Sequence, residues 1–189
     1  MQGVYMLRII GGTFRSRKIH QVETKDTRPT TDRNKEALFN TIGQYFDGET
    51  FLDLFSGSGA LGIEALSRGA SHVDFIDNGS LAVNTINANL ELLKVKEGFR
   101  VIKQDAFSFL LSVSSTYDVI IVDPPYVLMK YDEILKIIVT RHLLNDDGII
   151  VFEADKNTVL PVKLDNIFKY KEKVFGNTLF GFYTMEERT

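Results

Sequence analysis

Two hydrophobic periodicities take turns along the chain. Compact apolar runs at 50–55, 72–77, 99–103, 117–122 and 149–152 read as buried strands. Between them, apolar residues recur at helical spacing: Leu38, Ile42 and Tyr45; Ala82, Ile86, Leu90 and Leu93; Tyr131, Ile134, Leu135 and Ile138. Strands alternating with helices predict an α/β fold, a mostly parallel open sheet doubly wound with helices on both faces. Residues 167–174 and 178–185, turned at Gly176-Asn177, predict a closing hairpin that brings the sheet to seven strands. At the other end, residues 7–22 turn at Gly11-Gly12 and predict an exposed N-terminal β-hairpin extension. Thr27 to Asp32 reads as a loop rich in N-cap residues, leading into the helix of Leu38, which Asp47-Gly48 closes. No repeat or interdomain linker interrupts this order. Residues 1–189 are expected to form one domain, with the hairpin at 7–22, a loop and helix at 27–46 and a core at 50–189.

The strand ends turn the reading from fold to chemistry. In such a sheet, ligands bind off the carboxyl ends of the strands. Asp53, Asp77, Asp105 and Asp123 all fall at those ends. An acid there also caps the helix that follows, and both roles are expected for Asp77 and Asp105. Asp123 opens the tetrapeptide Asp123-Pro124-Pro125-Tyr126. The first proline keeps Asp123 out of the helical region, and the pair stiffens the turn. A carboxylate, the Pro124 carbonyl and an aromatic ring then leave the strand in a nearly fixed geometry. That set suits the exocyclic amine of a nucleobase, a poor nucleophile because its lone pair is spread into the ring. The two oxygens accept the amine's N–H groups while Tyr126 stacks on the base. The plain alternative is a strand end with a proline turn and Tyr126 as a packing residue.

Ser56-Gly57-Ser58-Gly59-Ala60-Leu61-Gly62 follows a strand and opens a helix that Gly69 stops, the layout of a nucleotide-cofactor site. Gly57, Gly59 and Gly62 match the dinucleotide fingerprint, and Asp77 lies 20 residues after Gly57. A nicotinamide-dependent reductase is therefore one reading. S-adenosylmethionine is the other, and three features favour it. Asp53, just before the loop, would repel a pyrophosphate but suits the ammonium of a methionine moiety. Asp105 suits an adenine amine, as Asp77 suits a ribose diol. Asp123 to Tyr126 fits an amine substrate, while nothing resembles a hydride-transfer site. A sulfonium cofactor without phosphate matches an acidic rim.

Composition narrows the field further. The 189 residues are 44% hydrophobic and 25% charged, as in ordinary globular proteins. Without cysteine, disulfides and thiolate metal sites are excluded, and His20, His72 and His142 lie too far apart to suggest a metal site. No metal is expected. No apolar run reaches the roughly 18 residues of a membrane span, and no signal-peptide pattern opens the chain, so a cytoplasmic location away from membranes is expected. The net charge of −3 is uneven: residues 1–35 hold eight basic and three acidic side chains, +5, leaving −8 for the remainder. A basic arm on an acidic body predicts a polyanionic partner at one end, the plainer alternative being a solvated hairpin.

The stretch from Asp53 to Gly62, with Asp123-Pro124-Pro125-Tyr126, resembles the class I, Rossmann-like methyltransferases that act on base amines. Thr27-Arg28-Pro29-Thr30-Thr31-Asp32-Arg33, leading into Lys35-Glu36-Ala37-Leu38-Phe39-Asn40, is more specific. With the basic hairpin, it resembles the bacterial family that methylates the N2 amine of a guanine in 16S rRNA. The similarity runs from about Leu7 to the C-terminal hairpin. It implies S-adenosyl-L-methionine as methyl donor, S-adenosyl-L-homocysteine as product, and 16S rRNA, within a small-subunit particle, as partner of a monomeric enzyme. It places the cofactor against Asp53, Phe55, Ser56, Gly57, Ser58 and Gly59, with Asp77 and Asn78 at the ribose and Asp105 and Ala106 at the adenine. Thr27, Arg28 and Pro29 close over the methionine end and the target base. Asp123, Pro124, Pro125 and Tyr126 hold the guanine, and Arg8, Arg15, Arg17, Lys18, Arg28 and Arg33 face RNA. Asp77 stands where relatives often have Glu, and Ser16 where they often have Gly. Alternatives are an adenine-N6 or cytosine-N4 nucleic-acid methyltransferase and a non-catalytic RNA-binding assembly factor. The missing duplex-reading domain disfavours the first, and the intact tetrapeptide the second.

Overall fold

The computed structural model describes residues 6–22, 31–125 and 130–186. A two-stranded hairpin, β1 (Met6–Arg8) with β2 (Lys18–His20), precedes helix α1 (Asp32–Ile42). The alternating body follows: β3 (Thr50–Leu54), α2 (Ala60–Ser67), β4 (His72–Asp77), α3 (Ser80–Leu93), β5 (Phe99–Lys103), α4 (Ala106–Ser112), β6 (Tyr117–Val122), α5 (Tyr131–Thr140) and β7 (Leu144–Asp155). The chain closes with β8 (Lys163–Leu164), β9 (Ile167–Phe175) and β10 (Thr178–Met185). The large sheet runs β5-β4-β3-β6-β7-β10-β9-β8. Strands β3 to β7 pair in parallel, and β10, β9 and β8 add antiparallel ladders. The seven expected strands are all present. The two-residue β8, too short for a periodic signal, makes an eighth.

Each face of the sheet carries its own core. Residues of α4 and α5, including Phe109, Leu110, Ile134, Leu135 and Ile138, pack against Leu52, Leu54, Ile120, Val122 and Ile150. On the other face, Leu38 and Phe39 of α1, Leu61 and Ile63 of α2 and Ile86 and Leu90 of α3 cover Phe51, Phe75, Ile121 and Val151. Each fully buried Leu, Ile or Phe contributes roughly 1.5–3 kcal/mol, so the alternation along each strand fixes which face it presents. Helix α1 ends at Gly43, not at Gly48, and Tyr45 is exposed rather than part of the stripe.

The hairpin is not the free-standing arm that its basic sequence suggests. Ile9 and Ile19 are buried in the same core as α1, α2 and α3. Buried polar side chains then lace it down. Glu64 of α2 accepts from the Ile10 and Gly11 N–H groups at 2.9 and 2.7 Å and from Arg68 Nε at 2.8 Å. Ser67 Oγ accepts from the Phe14 N–H at 2.9 Å. Lys35, 1% exposed, donates to the Arg8 carbonyl and lies 3.6 Å from Asp32, with its pKa lowered by burial. Gly12 presses so close that a Cβ would lie 1.7 Å from the Ser67 carbonyl oxygen. Ser16 adopts φ +68°, the left-handed region that glycine tolerates best, which explains why Gly suits that position.

Candidate active site

The acids that the sequence puts at strand ends lie at or just past the carboxyl ends of four adjacent strands, in the spatial order Asp105, Asp77, Asp53, Asp123. Register places Leu54 opposite both Ile76 and Val122, so Asp77 and Asp123 flank β3 at the level of Phe55. With strands about 4.8 Å apart, they stand roughly 10 Å from each other. Asp53 lies two residues below. Strand alternation gives Asp53, Asp77 and Asp123 the same face as Phe51, Phe75 and Ile121.

A sharp reversal brings the glycine loop over this row. Phe55 turns at φ +61°, a conformation that costs a bulky residue about 1–2 kcal/mol. Ser56 is riveted to β4: its N–H donates to the Ile76 carbonyl at 3.1 Å, and its Oγ accepts from the Ile76 N–H at 2.9 Å. Ser56 thus shapes the loop and is buried. Gly57 and Gly59 take φ +53° and +75°, and Gly59 is the N-cap of α2.

The loop's N–H groups already face carboxylates. Asp53 Oδ2 accepts from the Gly62 N–H, in the first turn of α2, at 3.0 Å. Asp77 Oδ2 accepts from the Gly57 N–H at 2.9 Å and its Oδ1 from the Gly79 N–H at 2.8 Å. Asp53 is 2% exposed, and no cation among the described residues pairs with it. Burial, with the nearby charges of Asp123 and Asp77, pushes its pKa up to about 8 against the pull of the Gly62 N–H. Burial raises the Asp123 pKa to about 7. The Asp123 carboxylate has no hydrogen-bond donor among the described residues, and the Asp123 N–H holds β3 through the Leu54 carbonyl at 3.4 Å. Pro124 is buried and Pro125 exposed.

The remaining candidates separate by role. Asp105 is the N-cap of α4, accepting from the Ser108 N–H at 2.9 Å, and stays exposed; Ala106 begins that helix and is buried. Asn78 is exposed beside Asp77. Thr27, Arg28, Pro29 and Tyr126 lie outside the described residues. Among the expected RNA-facing cations, Arg8 is engaged by Asp32 at 2.6 Å. Arg17 donates to the Leu92 carbonyl at 2.8 Å, capping the last turn of α3. Arg15, Lys18 and Arg33 are exposed and make no ion pair among the described residues. Sequence reasoning missed Asn89, which is fully buried on α3 and reaches the glycine loop; its place in the helical stripe beside Leu90 was the only available signal.

Comparison with known proteins places the fold and the family. The family model described as "Conserved hypothetical protein 95" matches residues 7–184. YlbH of Bacillus subtilis, a candidate rRNA methyltransferase, is 38% identical over 94% of this chain and 98% of its own length. "Ribosomal RNA small subunit methyltransferase D" of Escherichia coli K12 is 34% identical over 97% of this chain and 92% of its own. The solved structure of yhhF, a methyltransferase candidate from Escherichia coli, superposes with a TM-score of 0.83 at 33% identity, covering 97% of this chain and all of that one. The chain therefore belongs to the Conserved hypothetical protein 95 family, a family of class I rRNA methyltransferases.

Proposed function

We propose that this protein transfers a methyl group from S-adenosyl-L-methionine to the exocyclic N2 amine of a guanine in 16S rRNA. The observation that carries the cofactor half is the occupation of the loop's N–H groups. In a dinucleotide site the first turn of the helix receives a phosphate. Here the Gly62 N–H is taken by Asp53 and the Gly57 N–H by Asp77, so an anion would meet carboxylates. A cationic, phosphate-free cofactor fits that donor set, and the raised pKa of Asp53 marks a carboxylate whose ionised form an ammonium or sulfonium would stabilise. The named relatives of the family point the same way.

S-adenosylmethionine, when bound, supplies the activated methyl group. The chain's residues do the positioning. Asp53 holds the cofactor's positive end, Asp77 turns its free lone pairs toward the ribose, and Asp105 faces the adenine. Asp123 Oδ and the Pro124 carbonyl accept the two N–H groups of the base amine, directing its lone pair along the transfer line. With a pKa near 7, the Asp123 carboxylate can take the proton that the amine sheds after transfer. Thr27, Arg28 and Pro29 close this pocket and Tyr126 stacks on the guanine. A guanine in folded RNA must swing out to reach the sheet edge. Arg15, Lys18 and Arg33 meet phosphates, and Arg28 joins them; Arg8 and Arg17 serve the protein's own structure.

Incubation of purified protein with labelled S-adenosylmethionine and small ribosomal subunits, or free 16S rRNA, tests this directly. Label in a guanine N2 position is expected, and label at an adenine N6 or a cytosine N4 would overturn the substrate assignment. Calorimetry should show binding of S-adenosylhomocysteine and none of NADH. Replacing Arg15 and Lys18 with Ala should lower the salt slope of RNA binding by about 2. Arg17→Ala should leave that slope unchanged and lower the melting temperature.

A further inference from the structure

The glycine loop and the N-terminal hairpin are far apart in sequence, yet one side chain holds both. Asn89 on α3 is fully buried. Its Oδ1 accepts from the His20 N–H of β2 at 2.7 Å, and its Nδ2 donates to the His20 carbonyl at 2.9 Å. The side-chain amide thus pairs with β2 as a neighbouring strand would. The second Nδ2 proton goes to the Ser58 carbonyl at 3.0 Å, between Gly57 and Gly59. The Ser58 carbonyl lies in the loop between the Gly57 N–H held by Asp77 and the Gly62 N–H held by Asp53. On the other side, β2 is seated by Ile19 in the core, and β1, its ladder partner, by Lys35.

We propose that Asn89 is a positioning residue that transmits the seating of the hairpin to the cofactor loop, so that cofactor affinity depends on how the hairpin docks. This rests on the cofactor reading above and adds a regulation to it. The hairpin that carries Arg15 and Lys18 is joined to the glycine loop through the hydrogen bonds of Asn89 to His20 and Ser58. Reciprocity follows: whatever steadies the hairpin tightens the cofactor, and the cofactor steadies the hairpin by the same factor.

A double-mutant cycle on the full chain tests it, with S-adenosylhomocysteine as the probe and calorimetry as the readout. Asn89→Asp keeps the acceptor for the His20 N–H but sets an oxygen against the His20 and Ser58 carbonyls. It should weaken binding about fivefold or more. Ile19→Ala loosens the hairpin without touching the loop and should weaken binding in the native background, with no further loss when Asn89→Asp is present. Additive losses, or full affinity in a folded Asn89→Asp protein, would overturn the proposal. Hydrogen exchange on the unmutated protein gives a second arm that no folding defect can spoil. S-adenosylhomocysteine should slow exchange of the His20 amide about fivefold or more. Protection confined to the glycine loop, with His20 unchanged, would sink the coupling. Failure of the native protein to bind the probe at all would instead remove the cofactor reading, and the proposal with it.

Discussion

Asp74 and Asp53 are buried acids on neighbouring strands, one register step apart, and they live in opposite environments. Asp74 is surrounded by donors: Arg100, the Tyr117 hydroxyl at 2.7 Å and His72 Nε2 at 2.9 Å. Burial pushes its pKa up, but these hydrogen bonds outweigh burial and hold it below the ordinary carboxylate range. Asp118, served by Thr50 and by Asn145 at 2.7 Å, behaves the same way. Among the described residues Asp53 has a single backbone N–H donor, and its pKa goes the other way. Identical chemistry and similar burial therefore separate into two kinds of carboxylate. One kind finishes a structural network from within the chain. The other, among the described residues, is left short of positive charge at the place where the sheet opens to ligands.

That contrast breaks or sharpens under substitution. The largest effect should come from Asp123→Ala, which should lower methyl transfer by at least about 100-fold while S-adenosylhomocysteine affinity stays nearly constant. A large loss of affinity would move Asp123 to the cofactor side. Next, Asp74→Ala should cost about 3 kcal/mol in urea unfolding, near the low end for a broken buried pair because Arg100 is half exposed. Cofactor affinity of the folded protein should not change, and a selective loss would dissolve the distinction. Asp53→Asn keeps an acceptor for the Gly62 N–H and removes the cost of burying a carboxyl that must take up a proton to stay neutral in the fold. It should stabilise the free protein by on the order of 1–2 kcal/mol at pH 7.5, yet weaken cofactor binding several-fold, the opposite sign from Asp74. The smallest effect is in the pH dependence of ligand affinity. The folded pKa of Asp53, about 8, lies above its ordinary 3.8, so its contribution to stability is present at low pH and drains away between about pH 4 and pH 8. A cationic ligand favours the ionised form, so its affinity should rise from pH 6 to pH 8.5 with release of protons, measurable by calorimetry in two buffers of different ionisation heat. A flat profile would mean that Asp53 is already ionised in the free protein.

How much of this was legible in the sequence depended on distance along the chain. Asp53, Asp77 and Asp123 could be placed because a parallel strand puts its last residue at one edge of the sheet whatever its neighbours are. The helical stripes of α3 and α5 were equally plain, since burial on one face imposes its own period. What stayed hidden was polar and long-range. Lys35 reads as a surface cation until the Arg8 carbonyl, 27 residues away, is seen to accept its hydrogen bond. Asn89 reads as a helix residue among others until His20, 69 positions distant, meets it. The charge of the hairpin misled for the same reason. Its cations were visible, while the apolar Ile9 and Ile19 that bury it were too few to outweigh them.

The two outermost strands of the sheet carry a consequence for life in a crowded solution. At one margin, β5 presents Arg100 and Lys103; at the other, β8 is only two residues long, begins with Lys163 and follows Pro161. An unguarded flank of backbone donors and acceptors recruits extended segments from other molecules and seeds fibres. Here each flank is either charged or too brief to template anything, so the ladder terminates itself and growth by strand addition is discouraged at both borders.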